Sequence, residues 1–235
     1  MNKKTGILFL VLIVPVFVYL GLKTFGTNHF SLPRYIPAID STTGEIKMAK
    51  RLNPRWNEAE MDTVFQTIPS FTLLDETGKP FDSNNLKGKI YVTSFFFTRC
   101  GTICPKISSQ VSRVQDTFHE DPEVKLLSIS VDPKFDQPEK LAAYAKRFDA
   151  NKGQWHFLTG DKKDLYKLAR RSFFVLKPAE AQNQGDVGSD FIHTNYFVLV
   201  DTQKRIRGYY DGTNSKEVDK LIKDIQKLLE EDKDK

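Results

Sequence analysis

Two cysteines are the residues of this chain best suited to chemistry. Cys100 and Cys104 are the only cysteines among 235 residues, whereas a domain held together by disulfides would carry more. Residues four apart in an ideal helix have Cα atoms about 6.2 Å apart, near the long end of the ~4.4–6.8 Å that a disulfide accepts. The same spacing suits two thiolates that converge on one metal ion, and thiolates favour Cu(I) or zinc. The pair is therefore a structural disulfide, a redox couple or a metal site.

The position of the cysteines favours a working site. They directly follow the apolar run 90–97, and a helix is predicted to begin at Pro105. Open α/β folds carry their ligand sites at the carboxyl ends of strands. The amino end of a helix supplies free N–H groups and partial positive charge, and both of these favour thiolate over thiol. Arg99 either adds to that charge or is a surface arginine.

A histidine is the expected third ligand. The chain has four, and His193 is the only one in a loop, 185–195, that leads into a predicted strand. His29 falls in a predicted tether, His119 at the end of a helix and His156 in a strand. An isolated loop histidine is usually solvated, so the residue type leaves both interpretations of His193 open.

The rest of the chain alternates between strand and helix patterns. Strands are predicted at 68–74, 79–81, 90–97, 124–131, 155–158, 196–200 and 205–210, and helices at 105–118, 137–148, 161–171 and 215–230. Alternation of this kind implies an α/β sandwich with crossover connections. The short turn between the last two strands adds an antiparallel edge. The sequence therefore predicts a thioredoxin-like fold with a mixed central sheet.

The amino-terminal part of the chain predicts a membrane anchor. Residues 6–22 are uncharged and would form a helix of about 25 Å, at the short end of what spans a bilayer. Lys3 and Lys4 precede this run, which predicts a cytoplasmic segment 1–5 and an outward-facing remainder. A cleaved signal peptide is the alternative, although no small-x-small cleavage site follows, and a lipidated cysteine is excluded because no cysteine follows the run.

The expected organisation is thus an anchor, a tether and a domain. Residues 23–62 are predicted to be an extracytoplasmic tether, and 63–235 the folded domain. The chain has no long Arg/Ser-rich presequence, so we expect a bacterial protein in the inner (cytoplasmic) membrane whose domain faces the periplasm or the cell exterior. Residues 63–235 carry 27 basic and 25 acidic residues, a balance that argues against a nucleic-acid partner.

Three segments together resemble the Sco/SenC family of copper-binding assembly factors, and the similarity covers about residues 65–230. The matching segments are Phe97-Thr98-Arg99-Cys100-Gly101-Thr102-Ile103-Cys104-Pro105, Ser130-Val131-Asp132-Pro133-Lys134-Phe135-Asp136-Gln137-Pro138-Glu139 and Asp190-Phe191-Ile192-His193-Thr194. The resemblance implies a thioredoxin-like domain outside the membrane behind one helical anchor. It also implies that Cys100, Cys104 and His193 bind Cu(I) or Cu(II).

The resemblance further implies a role at cytochrome c oxidase, as copper donor to its dinuclear copper centre, as reductant of that centre's cysteines, or both. The expected partners are the copper-centre subunit or a similar client, and an extracytoplasmic thiol reductant or copper donor. A thiol–disulfide oxidoreductase that cycles Cys100 and Cys104 is the main alternative. A peroxidase that uses Cys100 is a third, weaker hypothesis, suggested by Thr98.

Three acidic residues surround these motifs. Asp132 and Asp136 either support the site or, as the sequence favours, form turns and caps around Pro133 and Pro138. Asp190 either orients His193 or is solvated. The polar stretch 177–189 has no clear counterpart in the family pattern.

Overall fold

The computed structural model describes residues 11–20, 31–52, 59–175 and 194–233. Its strands are β1 (Met48–Leu52), β2 (Ala59–Thr63), β3 (Thr72–Leu74), β4 (Pro80–Asp82), β5 (Ile90–Phe96), β6 (Val124–Ser130), β7 (Trp155–Leu158), β8 (Tyr196–Val200) and β9 (Ile206–Asp211). Its labelled helices are α1 (Ile103–Thr117), α2 (Pro138–Arg147), α3 (Lys162–Lys167) and α4 (Ser215–Lys233). A 3-10 turn spans Ser83–Leu86, and a π turn, Leu168–Ser172, continues α3.

A five-stranded mixed sheet forms the centre, in the order β7-β6-β5-β8-β9. The β5–β6 and β6–β7 pairs are parallel, and the β5–β8 and β8–β9 pairs are antiparallel. Every residue of β5 is buried, as a central strand covered on both faces requires. The mixed α/β sheet predicted from the sequence is confirmed.

Each face of the sheet carries its own core. On one face, α1, α2 and α4 pack through residues such as Val111, Leu141 and Leu221. On the other face, the β3–β4 hairpin and α3 pack through residues such as Leu73 and Leu165. Both cysteines belong to the first of these cores.

Helix α1 begins two residues earlier than the sequence predicted. Pro105 lies inside its first turn rather than at its start, which the helix tolerates because a proline lacks only an N–H that would have no partner there. Cys104 consequently lies within the helix and Cys100 outside it. Helices α2 and α3 begin where expected, with Pro138 in the first turn of α2 and the Asp161 side chain accepting from the Lys163 N–H at 2.8 Å.

The segment expected to be a tether contains regular structure. Strands β1 and β2 pair as an antiparallel ribbon in which Met48 lies opposite Thr63. The chain divides into two compact units, and the second, which contains the sheet, begins at Leu32. The physical reason is that main-chain N–H groups of this segment find distant acceptors. The Tyr35 N–H donates to the Ile206 carbonyl at 3.1 Å, and the Leu32 N–H donates to the Glu231 carboxylate at 2.8 Å. A period-based analysis misses such a segment because its order comes from the partners and not from its own pattern.

Only part of the predicted anchor is described. Residues 11–20 form an apolar, largely exposed helix, whereas 6–10 and 21–22 lie outside the described residues. Across the described ranges, no helix has both the length and the apolar character needed to cross a bilayer.

Arg207 joins both ends of the compact unit. Its side chain is 2% exposed and is paired with Asp201 at 3.1 Å and with Glu231 at 3.0 Å. Its remaining donors reach the carbonyl oxygens of Leu32 at 2.7 Å and Pro33 at 3.1 Å. This buried arginine therefore binds the start of the unit to the end of α4.

We expect Arg207→Met to destabilise the fold strongly. The change leaves the Glu231 carboxylate without the Arg207 cation and the carbonyl oxygens of Leu32 and Pro33 without its N–H donors, whereas Asp201 keeps Arg205. Breaking a buried ion pair in this way costs about 3–5 kcal/mol. Urea unfolding followed by circular dichroism measures the loss. The control is Arg113→Met, which removes an exposed pair with Asp219 and should cost at most about 1 kcal/mol. Equal losses in the two variants would contradict the assigned role of Arg207.

Candidate metal and thiol site

The site is built where β5 leads into α1. A tight turn brings the Cys100 N–H to the Phe97 carbonyl at 3.2 Å, and the Cys104 N–H then donates to the Cys100 sulfur at 3.3 Å. Cys100 is 9% exposed and Cys104 3% exposed, and both are free thiols. The two thiols are therefore brought together as the spacing predicted, with Cys100 nearer the surface and Cys104 deeper in the core.

The two thiols differ in acidity. Burial by itself would raise the pKa of Cys100, but the N–H groups of Cys104, Thr102 and Ile103 outweigh it and lower that pKa. Burial raises the pKa of Cys104 to about 12, and the neighbouring Cys100 thiol and the Asp136 charge act in the same direction. The N–H groups at the helix start therefore favour the thiolate at Cys100, whereas at Cys104 burial and the neighbouring sulfur outweigh them.

A buried carboxylate holds the loop before Cys100. Asp136 is fully buried (0% exposed) and accepts from the Thr98 N–H at 3.1 Å, from the Thr98 hydroxyl, and from the Ser130 hydroxyl at 2.6 Å. These donors come from the ends of the two neighbouring strands β5 and β6. Asp136 therefore ties the segment that leads to Cys100 to the end of the adjacent strand.

A second carboxylate in the same turn binds Arg99. The Arg99 Nε lies 3.0 Å from Asp132 Oδ2, and its guanidinium also stacks 4.6 Å from the centre of the Phe135 ring. The Asp132 N–H donates to the Ser130 hydroxyl at 3.0 Å. The charge of Arg99 is thus paired with a carboxylate, and its side chain is 49% exposed, which fits the alternative of a surface arginine.

The sequence favoured turn formation and capping for Asp132 and Asp136 over a role in supporting the site. A turn is present, since the Asp136 N–H donates to the Asp132 carbonyl at 2.9 Å, but their side chains reach Thr98 and Arg99. The order of the strands is a signal from which these contacts could have been predicted. The carboxyl ends of parallel neighbouring strands lie at the same edge of a sheet, so residues after β6 must lie beside residues after β5.

The proposed histidine lies outside the described residues, as do Asp190, the stretch 177–189 and His29. The chain is described again at Thr194, whose hydroxyl accepts from the Tyr196 N–H at 3.3 Å. The β5–β8 register, with Thr93 opposite Val198, places the start of β8 at the edge where β5 ends. The structure therefore leads the chain back to the cysteine edge just after His193.

The other two histidines do not join the cysteines. His119 is exposed and follows α1, and its ring contacts the Asp116 carbonyl at 2.8 Å. His156 packs on Phe81 within β7, and burial lowers its pKa. In the described ranges, no cluster of three or more His, Cys, Asp or Glu side chains is arranged to hold a metal ion.

Comparison with known proteins identifies the family. The SCO1/SenC family model matches residues 59–230. The chain belongs to the SCO1/SenC family. A SCO1 protein homolog from Bacillus subtilis is 29% identical over 168 residues, which cover 70% of this chain and 84% of that protein. The family similarity inferred from the three sequence motifs is confirmed.

Solved structures of the SCO1/SenC family support the same fold. BsSco, described as a member of the Sco family of cytochrome c oxidase assembly proteins with a disulfide switch, is 28% identical with a TM-score of 0.59, covering 69% of this chain and 92% of BsSco. Bradyrhizobium japonicum ScoI with copper bound is 25% identical with a TM-score of 0.55, covering 69% of this chain and 99% of that structure. The thioredoxin-like, mixed α/β domain is thereby confirmed.

We expect the two thiols of the reduced, metal-free protein to be alkylated at different pH values. Because the pKa of Cys100 is lowered and that of Cys104 is raised to about 12, iodoacetamide should modify Cys100 at a lower pH than an ordinary thiol and Cys104 only in strong alkali. Peptide mass spectrometry after timed alkylation measures the two rates. Cys104→Ser should leave the Cys100 rate high, and a faster reaction at Cys104 would contradict the assignment.

Proposed function

We propose that this chain is a membrane-anchored SCO1/SenC protein that binds copper through Cys100, Cys104 and His193. In this role it assists assembly of the dinuclear copper centre of cytochrome c oxidase. The observation that carries the proposal is the approach of the two cysteines at the end of β5, with the Cys104 N–H 3.3 Å from the Cys100 sulfur. Two soft sulfur donors on one side of a helix start suit Cu(I) better than a hard cation.

The different acidities of the thiols fit metal binding. Cys100 offers a thiolate first, because three N–H groups of the following turn stabilise its charge. Cys104 holds its proton in the metal-free protein and loses it when its sulfur binds the metal, since a coordinating thiol is deprotonated. Copper binding should therefore release a proton and should weaken as the pH falls.

His193 would complete the site as the third ligand. Its support is the sequence motif shared with the family and the position of β8, which begins at the cysteine edge two residues after Thr194. An open site of two thiolates and one imidazole leaves the copper accessible to an incoming ligand. Transfer to a client would then proceed by ligand exchange, and the copper is cargo.

The membrane anchor and the partners belong to the same proposal. Residues 6–22 would anchor the chain in the bacterial inner membrane, with 1–5 inside and the domain facing the periplasm or cell exterior. The described part of this run, 11–20, is helical and apolar. The client would be the copper-centre subunit of the oxidase. A second partner would be an extracytoplasmic thiol reductant, which supplies electrons to the cysteines, or a copper donor, which supplies the metal.

Thiol–disulfide exchange is the second candidate function. Its support is the closeness of two free thiols and the disulfide switch described for BsSco. The low pKa of Cys100 and its greater exposure would make it the attacking thiol, with Cys104 as the partner that closes the disulfide. The peroxidase hypothesis gains no support, because the Thr98 hydroxyl is bonded to Asp136.

A copper titration tests the ligand set. We expect the reduced protein to bind one equivalent of Cu(I), measured by competition with bicinchoninate. Cys100→Ser and Cys104→Ser should abolish tight binding because each removes a thiolate. His193→Ala should weaken binding sharply while the disulfide still forms, by more than the about 10- to 100-fold that is lost when a group behind a ligand is removed. His119→Ala is the control and should bind like the wild type; unchanged binding by His193→Ala would refute the third ligand.

A deletion strain of the source bacterium tests delivery. We expect lower cytochrome c oxidase activity and less copper per oxidase than in the parent, with partial recovery when copper is added to the medium. Complementation with wild-type protein should restore both, and Cys100→Ser should restore neither. Normal copper content in the deletion strain together with low activity would favour the thiol–disulfide role.

A further inference from the structure

Asp136 stands out among the buried polar groups of the described chain. Asp201, buried to a similar degree, is paired with Arg205 and Arg207. Asp224, also buried, is bonded to Tyr210 and paired with Lys227. Asp136 is fully buried, and the bonds that the structure shows for its carboxylate come from Thr98 and Ser130. Burying a carboxylate is costly unless hydrogen bonds or a paired charge replace its hydration, so the donors from Thr98 and Ser130 hold Asp136 in this position.

The donors of Asp136 connect it to the thiol site. Thr98 gives the carboxylate both its N–H and its hydroxyl and lies two residues before Cys100. The turn that follows is closed by the Cys100 N–H on the Phe97 carbonyl, so a shift of Thr98 moves the start of that turn. The position of the Cys100 sulfur therefore depends on the bond between Thr98 and Asp136.

The Asp136 carboxylate is also held from the side of β6. Ser130 ends β6; its hydroxyl donates to Asp136 at 2.6 Å and accepts the Asp132 N–H at 3.0 Å. Asp132 in turn binds Arg99, the residue that precedes Cys100. The turn between β6 and α2 thus binds two consecutive residues of the cysteine loop. It binds Thr98 through a buried carboxylate and Arg99 through an exposed ion pair.

We propose that Asp136 is a positioning residue, which holds the loop 97–100 through Thr98 so that the Cys100 and Cys104 sulfurs are already set for one metal ion or for each other. The copper-binding measurement that tests this inference rests on the proposed function. The inference applies equally to disulfide closure, because both reactions need the same approach of the two sulfurs. A fixed loop lowers the ordering cost that a mobile chelate would have to meet on binding.

The test compares two matched pairs of variants in the full-length protein in detergent. Thr98→Val removes one hydroxyl from the Asp136 cluster, and its control is Thr93→Val in β5, where the buried hydroxyl has no hydrogen-bond partner in the structure. Asp136→Ala removes the carboxylate that holds Thr98, and Asp136→Asn keeps an oxygen and a nitrogen where the two carboxylate oxygens were. Asp224→Asn is the control for altering a buried carboxylate in another part of the fold.

We expect Thr98→Val and Asp136→Ala to weaken Cu(I) binding about 10- to 100-fold, the range found when groups behind metal ligands are removed. Asp136→Asn should restore binding to within a few-fold of the wild type. Thr93→Val and Asp224→Asn should bind normally even where Asp224→Asn lowers the melting temperature. The equilibrium of the Cys100–Cys104 disulfide with dithiothreitol should shift toward the dithiol in Thr98→Val and Asp136→Ala only.

The outcomes separate the two proposals. If the wild type binds no copper, the proposed function fails, and the dithiothreitol equilibrium still decides whether Thr98 and Asp136 position the sulfurs. If Thr98→Val matches Thr93→Val in both measurements, the positioning role is refuted. A loss in Asp136→Asn as large as in Asp136→Ala, without a loss in Thr98→Val, would also refute it, because the effect would then come from the carboxylate charge and not from the bond to Thr98. Should Asp136→Ala fail to fold, Thr98→Val carries the test.

Discussion

Burial of β5 on both faces is the constraint around which the domain is arranged. Its seven residues are all buried, so the sheet has to be covered by helices on one side and by a hairpin and a helix on the other. Side chains along such a strand pack against apolar neighbours, and polar chemistry is displaced to the end of the strand. The cysteines lie at that end, where β5 leaves the sheet and α1 begins.

The end of β5 is held in place by polar groups and not by apolar packing alone. Asp136 and Asp132 lie after the parallel neighbour β6 and bind Thr98 and Arg99 after β5. Parallel pairing makes this possible, because both strands end at the same edge. The sheet therefore supplies a rigid frame for a short loop whose main-chain conformation would otherwise vary.

The depth of each cysteine explains how one short motif offers two kinds of thiol. Cys100 lies outside the helix, where three N–H groups face its sulfur, and its pKa is lowered. Cys104 lies one turn further in, among core residues, and its pKa is raised to about 12. The motif thus combines a more acidic thiol nearer the surface with a less acidic thiol in the core.

The sequence by itself determined the alternation of strands and helices, the approach of Cys100 to Cys104 and the family. These follow from local patterns, since hydrophobic periodicity and a fixed spacing are properties of neighbouring residues. The tertiary structure decided that the pKa of Cys104 is raised, that Asp136 anchors Thr98, and that the unit begins at Leu32 through Arg207. Each of these depends on burial depth or on partners 38 to 175 residues away in the chain, and such contacts form only when the sheet has assembled.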